Sequence, residues 1–269
     1  MALSSPVFQR AHAVFQLPGL MRDPVKDEGF VQAVKGEFPN VIARQQLPVE
    51  MLGAAPHLVL ASTSSQLALS ALQVDFEVRF YGDYTTDIPL AVEYIERKLA
   101  TVLDGLGAVG IEPIVLGLVG VLRFPFEAEE DDGPASHVAK ALFKNELEPE
   151  AIQDARGSLA VRVRDTYFVT LTLSNYETRQ VERPIMPGTA GLAAIAIRPW
   201  DGDVAEVGID LTIDVNNVLE ARELAETPTI TSVGVAATSK LFREIALTVG
   251  PKFAESGEIS VEEITAVSR

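Results

Sequence analysis

The fold is decided by residues 66–124, whose clearest part reads LQVDFEVRF over 72–80. Apolar residues stand at every even position of that segment, and polar or charged residues stand between them. A period of two is typical of a strand with one buried face. In 67–71 the apolar residues fall on odd positions instead, so the phase changes by one residue. Because such a slip reverses the two faces, the pattern predicts one long strand with a bulge or bend near 71–72.

A helix and a second strand follow in the same region. Apolar residues at steps of three and four over 88–106 predict an amphipathic helix, with Asp87 as its cap. Gly105 and Gly107 predict its end. The next segment, 114–122, is apolar on both faces, which predicts a strand covered on both sides. The patterns of these three elements indicate an architecture, and none of the elements contains a catalytic motif.

The composition limits the classes of partner. The chain has 269 residues with 22 basic and 38 acidic side chains, which gives a net charge of −16. Such a chain repels phosphate backbones unless a local basic patch overrides it, so nucleic acid and anionic membranes are disfavoured. The absence of cysteine excludes disulfides and thiol chemistry and fits a cytoplasmic protein. Residues 1–20 do not read as a secretory signal, and the apolar run in 105–124 falls short of the about 20 residues of a membrane-spanning helix.

An acidic, turn-forming loop at 127–133 predicts the boundary between an N-terminal half, 1–126, and a C-terminal half, 134–269. In the second half the patterns predict strands at 159–163, 167–173, 192–197 and 207–215. They also predict a helix at 136–146 that Ser136 caps and a helix at 231–253 that turns Val233 inward. The elements do not cycle strand–helix–strand throughout. The sequence therefore predicts an α+β fold of mainly antiparallel sheets, with long helices packed on one face. Whether the two halves are similar to each other stays open.

The glycines at 105–110 spell G-x-G-x-x-G, the dinucleotide-binding pattern. That pattern requires a preceding strand and a following helix, because the helix N-terminus holds the pyrophosphate. Here a helix precedes and a strand follows, so the sequence predicts no cofactor. His12, His57 and His137 lack the spacing of a metal-binding motif, and no metal site is predicted.

Five charged residues form the candidate ligand-binding set: Arg123, Arg162, Arg164, Asp210 and Asp214. Arg162 and Arg164 share one face of a predicted strand, where guanidinium groups can bind a carboxylate or phosphate through paired hydrogen bonds. Asp210 and Asp214 share one face of another predicted strand. In so acidic a chain the alternative is that the arginines pair with the protein's own carboxylates and that the aspartates line a solvated sheet face.

The order of several short motifs also carries information. They are, in chain order, FP at 38–39, QQ at 45–46, paired strands over 57–81, IDVN at 213–216 and LFREI at 241–245. In this layout the chain resembles a sporadically distributed bacterial family of uncharacterised proteins of similar length. The Arg-rich strand motif of that family is reduced here to LRF at 122–124, and the first strand also departs from the family pattern. The resemblance implies no activity, cofactor or catalytic residue.

These observations favour a non-enzymatic module that binds a protein partner or a second copy of itself through strand edges or a groove. A homodimer is the simplest form of that hypothesis. The alternative is a small-molecule or metal-binding enzyme with a pocket between the two halves, built from the five residues above. A third hypothesis, a component of a phage or conflict system, depends on neighbouring genes for its support.

Overall fold

The structure is a computed structural model that describes residues 3–18, 23–45, 55–126, 133–143, 152, 154–163, 166–180, 203–217, 229–259 and 264. The described strands are β1 (Val7–Gln16), β2 (Asn40–Arg44), β3 (Leu58–Ala61), β4 (Ser65–Leu69), β5 (Gln73–Arg79), β6 (Val115–Pro125), β7 (Arg156–Val163), β8 (Tyr167–Gln180) and β9 (Asp203–Asn216). The described helices are α1 (Pro24–Val34), α2 (Asp83–Thr86), α3 (Ile88–Ala108), α4 (Pro134–Phe143), α5 (Ser232–Glu244) and α6 (Gly250–Ser256), with a π-helical segment at Ile245–Val249.

The described strands form one antiparallel sheet in the order β2-β3-β4-β5-β1-β6-β9-β8-β7. β1 lies in the middle, where it pairs with β5 on one side and with β6 on the other. β6 also pairs with β9, so the sheet continues from the N-terminal half into the C-terminal half. The α+β fold with an antiparallel sheet is therefore confirmed. The domain boundary stays a prediction, and residues 127–132 of the acidic loop lie outside the described part of the chain.

α1 and α3 each start with a side-chain cap, and that of α3 is the predicted cap Asp87. Asp23 accepts a hydrogen bond from the backbone N–H of Val25, and Asp87 accepts one from that of Leu90, each at 2.9 Å. Such caps satisfy N–H groups that have no partner inside the helix. Among the described helices, α3 spans 21 residues and α5, the next longest, spans 13. The expectation of long helices packed on one face is therefore not confirmed.

The prediction of one long, bent strand over 66–80 is wrong. The structure has two antiparallel strands, β4 and β5, joined by a tight turn at 70–72. The Ser70 hydroxyl holds this turn through a hydrogen bond with the Gln73 carbonyl at 3.2 Å and another with its N–H at 3.2 Å. The change of phase in the sequence therefore marks a reversal of the chain, and each of the two strands keeps its own buried face.

Three further expectations about helices need correction. α3 runs past Gly105 and Gly107 to Ala108, and Gly105 lies so close to α1 that an added Cβ would be 2.6 Å from Val34. Ser136, predicted as a cap, is buried inside α4. The predicted last helix contains the π-helical segment, and its residue Val233, expected inward, is 75% exposed. The predicted strand 192–197 lies outside the described residues.

The two faces of the sheet differ in chemistry. One face carries fully buried apolar side chains that pack under the helices; they include Phe8, Phe15, Phe76, Leu118, Leu122, Ile213 and Leu171. The opposite face carries mainly polar residues, most of them exposed or half-buried, except along β6, where the residues on this side are mainly small or apolar. We call this second side the open face. Within the described ranges, no helix is both long enough and apolar enough to cross a lipid bilayer.

Candidate functional site

A groove runs along the open face where β1 and β6 lie side by side. It consists of three overlapping depressions of about 280, 310 and 410 Å³. The first and second share Arg10, Arg79 and Val121, and the second and third share Val119. Along β1 the lining extends from Arg10 to Gln16, which at about 3.3 Å per strand residue is about 20 Å. We call this feature the open-face groove.

The floor of the open-face groove is formed by β6. Its residues on this side are Val115, Gly117, Val119 and Val121, all small or apolar. A Cβ added at Gly117 would meet no atom closer than the Cβ of Asn216, at 3.6 Å, so the floor is recessed there. The sequence predicted that this strand is covered on both sides. In the described part of the chain, one side of β6 faces the core and the other forms the floor of the open-face groove. Both sides are therefore apolar.

Two arginines stand opposite each other at one end of the groove. Arg10 of β1 is the cross-strand partner of Arg79 of β5, and both side chains are exposed. Like charges in directly opposite positions destabilise a sheet. No carboxylate of the described residues forms an ion pair with either of them, whereas Arg44, Arg97 and Arg123 each have one. In a chain of net charge −16, this pair is a local site of positive charge.

Arg123 lines the same end of the groove, but its charge is already paired. Its guanidinium donates two hydrogen bonds to Asp210, at 2.9 and 3.2 Å, and lies 3.7 Å from the ring centre of Tyr176. Tyr176 packs over Gly208, where an added Cβ would be 2.6 Å from the ring. Burial and a hydrogen bond to Glu206 raise the pKa of Tyr176, so its hydroxyl stays protonated. Arg123 therefore supports the wall of the groove.

Asp214 and Arg162, two other residues of the predicted set, lie apart from each other on the open face. Asp214 lines the opposite end of the groove and accepts a hydrogen bond from Asn216 at 3.0 Å. Arg162 is exposed on β7, next to Phe168 of the groove lining. Arg164 lies outside the described residues. The structure thus brings Arg123 and Asp210 into contact, and it does not gather the whole set in one pocket.

His12 lies in the middle of the groove lining, beside Arg10. Its Nε2 forms a hydrogen bond with Asp75 at 3.2 Å, and Asp75 also accepts one from Gln73 at 2.8 Å. The hydrogen bond with Asp75 raises the pKa of His12 more than burial lowers it, and the charges of Asp75 and Glu77 add to the rise. Protonated His12 therefore stabilises the fold at low pH, and this contribution is lost as the pH rises through the raised pKa.

Sequence reasoning missed Arg10 and Arg79, the two residues that give the groove its charge. Arg79 was recognised only as one of the polar residues of an alternating strand. Its proximity to Arg10 depends on the pairing of β1 with β5, which joins segments far apart in the chain. The one available signal was that both arginines occupy outward positions of strands in an acidic protein.

No group of three or more metal-ligating side chains occurs among the described residues. No protein-family model matches the chain, and no curated protein is significantly similar to it. The resemblance to a bacterial family therefore stays a prediction, and the function has to be argued from the open-face groove itself.

Proposed function

We propose that the protein is a binding module whose open-face groove holds an extended, acidic segment of a partner protein. The observation that carries this proposal is the pair Arg10 and Arg79 at one end of the groove. Two adjacent guanidinium groups bind a carboxylate or phosphate through charge-assisted hydrogen bonds, which are the strong ones in proteins. A bound anion would also remove the repulsion between the two arginines.

The lining of the groove favours a peptide over a purely apolar chain. The floor is apolar, but the walls carry Glu77, Thr170, Thr212 and Asp214. An acyl chain over such groups would remove their contact with water and offer no hydrogen bonds in its place, which is unfavourable. The N–H and C=O groups of a peptide can satisfy them, while its small apolar side chains rest on the floor. The length of about 20 Å corresponds to about six extended residues.

A peptide titration tests this function. The probe is a pool of acetylated hexapeptides with Ala, Val or Thr at the first four positions and Asp or Glu at the last two. We expect saturable shifts of the methyl signals of Val119 and Val121 in NMR spectra. Arg10→Gln and Arg79→Gln should each weaken binding about tenfold or more, because a hydrogen bond to a charged group contributes about 1.5–3 kcal/mol.

Two further variants serve as controls. Arg156 is exposed on β7 at the far edge of the sheet, so Arg156→Gln removes the same charge and should change the affinity less than about twofold, because salt screens distant surface charges. Gly117→Val fills the floor where there is room for a side chain, so it should keep the fold and block binding. Equal losses in Arg156→Gln and Arg79→Gln, or equal binding of a pool that lacks acidic residues, would contradict the proposal.

Self-association is a second candidate, and the chain's own sequence favours it. Residues 127–132 read EAEEDD, with five carboxylates in six positions. This negative charge complements the positive charge of Arg10 and Arg79. In that case the partner is a second copy. Light scattering at high concentration should then give a dimer that Arg10→Gln with Arg79→Gln converts to a monomer. A strictly monomeric wild-type protein would contradict self-association but not the binding of an acidic peptide from another protein.

Other expectations from the sequence stay predictions. They are the small-molecule or metal-binding enzyme with a pocket between two halves, the similarity of those halves, the cytoplasmic localisation and the phage or conflict-system role. No observation in the described residues favours any of them over binding at the open-face groove.

A further inference from the structure

A separate depression, of about 210 Å³, lies at the end of β5, beside the turn between β3 and β4. Its residues are mainly aromatic, and it shares Arg79 with the open-face groove. We call it the aromatic depression; its principal lining residues are Ser64, Arg79, Phe80, Tyr81, Tyr84 and Tyr94. Nothing in the proposed binding of a peptide along β1 and β6 uses this depression.

The aromatic rings form an ordered set with one exposed member. Tyr84 is stacked on Phe80 with ring centres 6.2 Å apart, and it meets Tyr94 edge-on at 5.5 Å. Tyr81, next to this cluster in the chain, is 67% exposed. Half-buried Tyr84 and exposed Tyr81 therefore present ring surface toward the depression, where a further ring can stack in the offset or edge-on geometry that aromatic pairs prefer.

The floor of the depression is held in place by hydroxyl groups. The Tyr94 hydroxyl forms hydrogen bonds with Ser64 at 3.2 Å and with Ser65 at 3.0 Å. Ser65 is in turn hydrogen-bonded to Ser62 at 2.7 Å. These contacts fix the Tyr94 ring against the β3–β4 turn, so the depression is preorganised and a ligand does not have to order it.

Arg79 supplies the charge at this site. It has no ion-pair partner among the described residues, and it borders both the aromatic depression and the open-face groove. We infer that the aromatic depression binds a small aromatic anion, an aryl phosphate or aryl carboxylate, with its ring against Tyr81 and Tyr84 and its anionic group on Arg79.

Titrations with three probes test this inference: phenyl phosphate, cyclohexyl phosphate and inorganic phosphate. We expect phenyl phosphate to bind about two- to twelvefold more tightly than inorganic phosphate, which is the range that an aromatic pair contributes. Cyclohexyl phosphate has a similar size but no π-system, so it should bind more weakly than phenyl phosphate. Equal affinity for phenyl phosphate and inorganic phosphate would overturn the inference, and so would equal affinity for the phenyl and cyclohexyl compounds.

Variants separate this site from the open-face groove. Tyr81→Ser should reduce phenyl phosphate binding to the level of inorganic phosphate, and its high exposure makes loss of the fold unexpected. Phe143→Ser is the matched control, since Phe143 is also exposed but lies on α4. Arg10→Gln should weaken the acidic peptides but keep the preference for phenyl phosphate over inorganic phosphate, whereas Arg79→Gln should weaken both the peptides and phenyl phosphate. If Tyr81→Ser has no effect, the aromatic depression is excluded while the peptide proposal stands.

Discussion

Replacing Phe242 with alanine is expected to lower the free energy of unfolding by about 3–5 kcal/mol. The Phe242 side chain on α5 is fully buried, and its ring lies 5.8 Å from that of Phe8 on β1. It also fills the space above Gly120 of β6, where an added Cβ would be 2.3 Å from the ring. Phe242 thus packs α5 against β1 and β6, the two central strands. Urea denaturation measures the loss of unfolding free energy.

The contact between Phe242 and Gly120 also predicts a coupling. Gly120→Ala alone should destabilise the protein by about 1–3 kcal/mol, because the new methyl group overpacks the core against the ring. In the double variant that methyl group occupies part of the space left by Phe242. The combined loss should therefore fall short of the sum by at least about 0.5 kcal/mol. Val233→Ala, an exposed position on the same helix, is the control with an expected change within about 0.5 kcal/mol, and strict additivity would contradict the packing described here.

Replacing Glu37 with glutamine is expected to lower the free energy of unfolding by about 2–3 kcal/mol. Its carboxylate lies 2.9 Å from the Nζ of Lys98, a side chain that is only 3% exposed. Removing one member of a buried ion pair leaves a buried charge without its partner, which costs about 3–5 kcal/mol when both members are buried. The expected value is smaller because Glu37 is partly exposed and because its own carbonyl still accepts a hydrogen bond from Lys98 at 2.6 Å.

Removing the other member should be much better tolerated. Lys98→Met keeps an unbranched side chain beside the rings of Phe38 and Tyr94 and leaves no buried charge. Its Glu37 partner keeps access to water and to Arg97 at 3.4 Å. We therefore expect a loss below about 1.5 kcal/mol for Lys98→Met. If Lys98→Met lowered the free energy of unfolding as much as Glu37→Gln under the same conditions, or more, an unpaired buried charge would not be the cause of the Glu37→Gln loss.

The Glu37 prediction has a defined pH dependence. The hydrogen bond with Lys98, together with the charges of Lys98 and Arg97, lowers the pKa of Glu37 despite its partial burial. A carboxyl group whose pKa is lowered on folding stabilises the protein above its unfolded pKa, and this contribution is lost as the pH falls through the folded pKa. The difference in unfolding free energy between wild type and Glu37→Gln should therefore shrink in acid, and a difference independent of pH would contradict this account.

Local periodicity was sufficient to predict several elements of the fold. The alternation in 207–215 lies inside β9, and the three-and-four spacing in 88–106 lies inside α3, because burial on one face imposes these periods directly on the sequence. The β4–β5 hairpin was misread because a bulge and a tight turn shift the phase in the same way. Residues 70–72 read SAL, without the Gly, Asn or Pro that usually marks a turn, and the Ser70 hydroxyl takes the place of those signals.

The candidate site was less predictable than the fold, because it depends on which strands are neighbours. Arg123 and Asp210 were both named from the sequence, and the pairing of β6 with β9 sets them directly opposite each other. The same register pairs Arg123 with a carboxylate of the protein itself, as the alternative interpretation held. Arg10 and Arg79 escaped notice because their charge matters only once β1 stands next to β5.

β1 can join the sheet only after most of the N-terminal half has been synthesised. Ala13 pairs with Phe76 on one side and with Leu118 on the other, so both partner strands lie far downstream in the chain. Until then Phe8 and Phe15 have no completed core to enter. Closing such long loops slows folding, and an unpaired apolar strand is prone to aggregate in the meantime. The nascent protein is therefore expected to depend on chaperones for β1 more than for any other described strand.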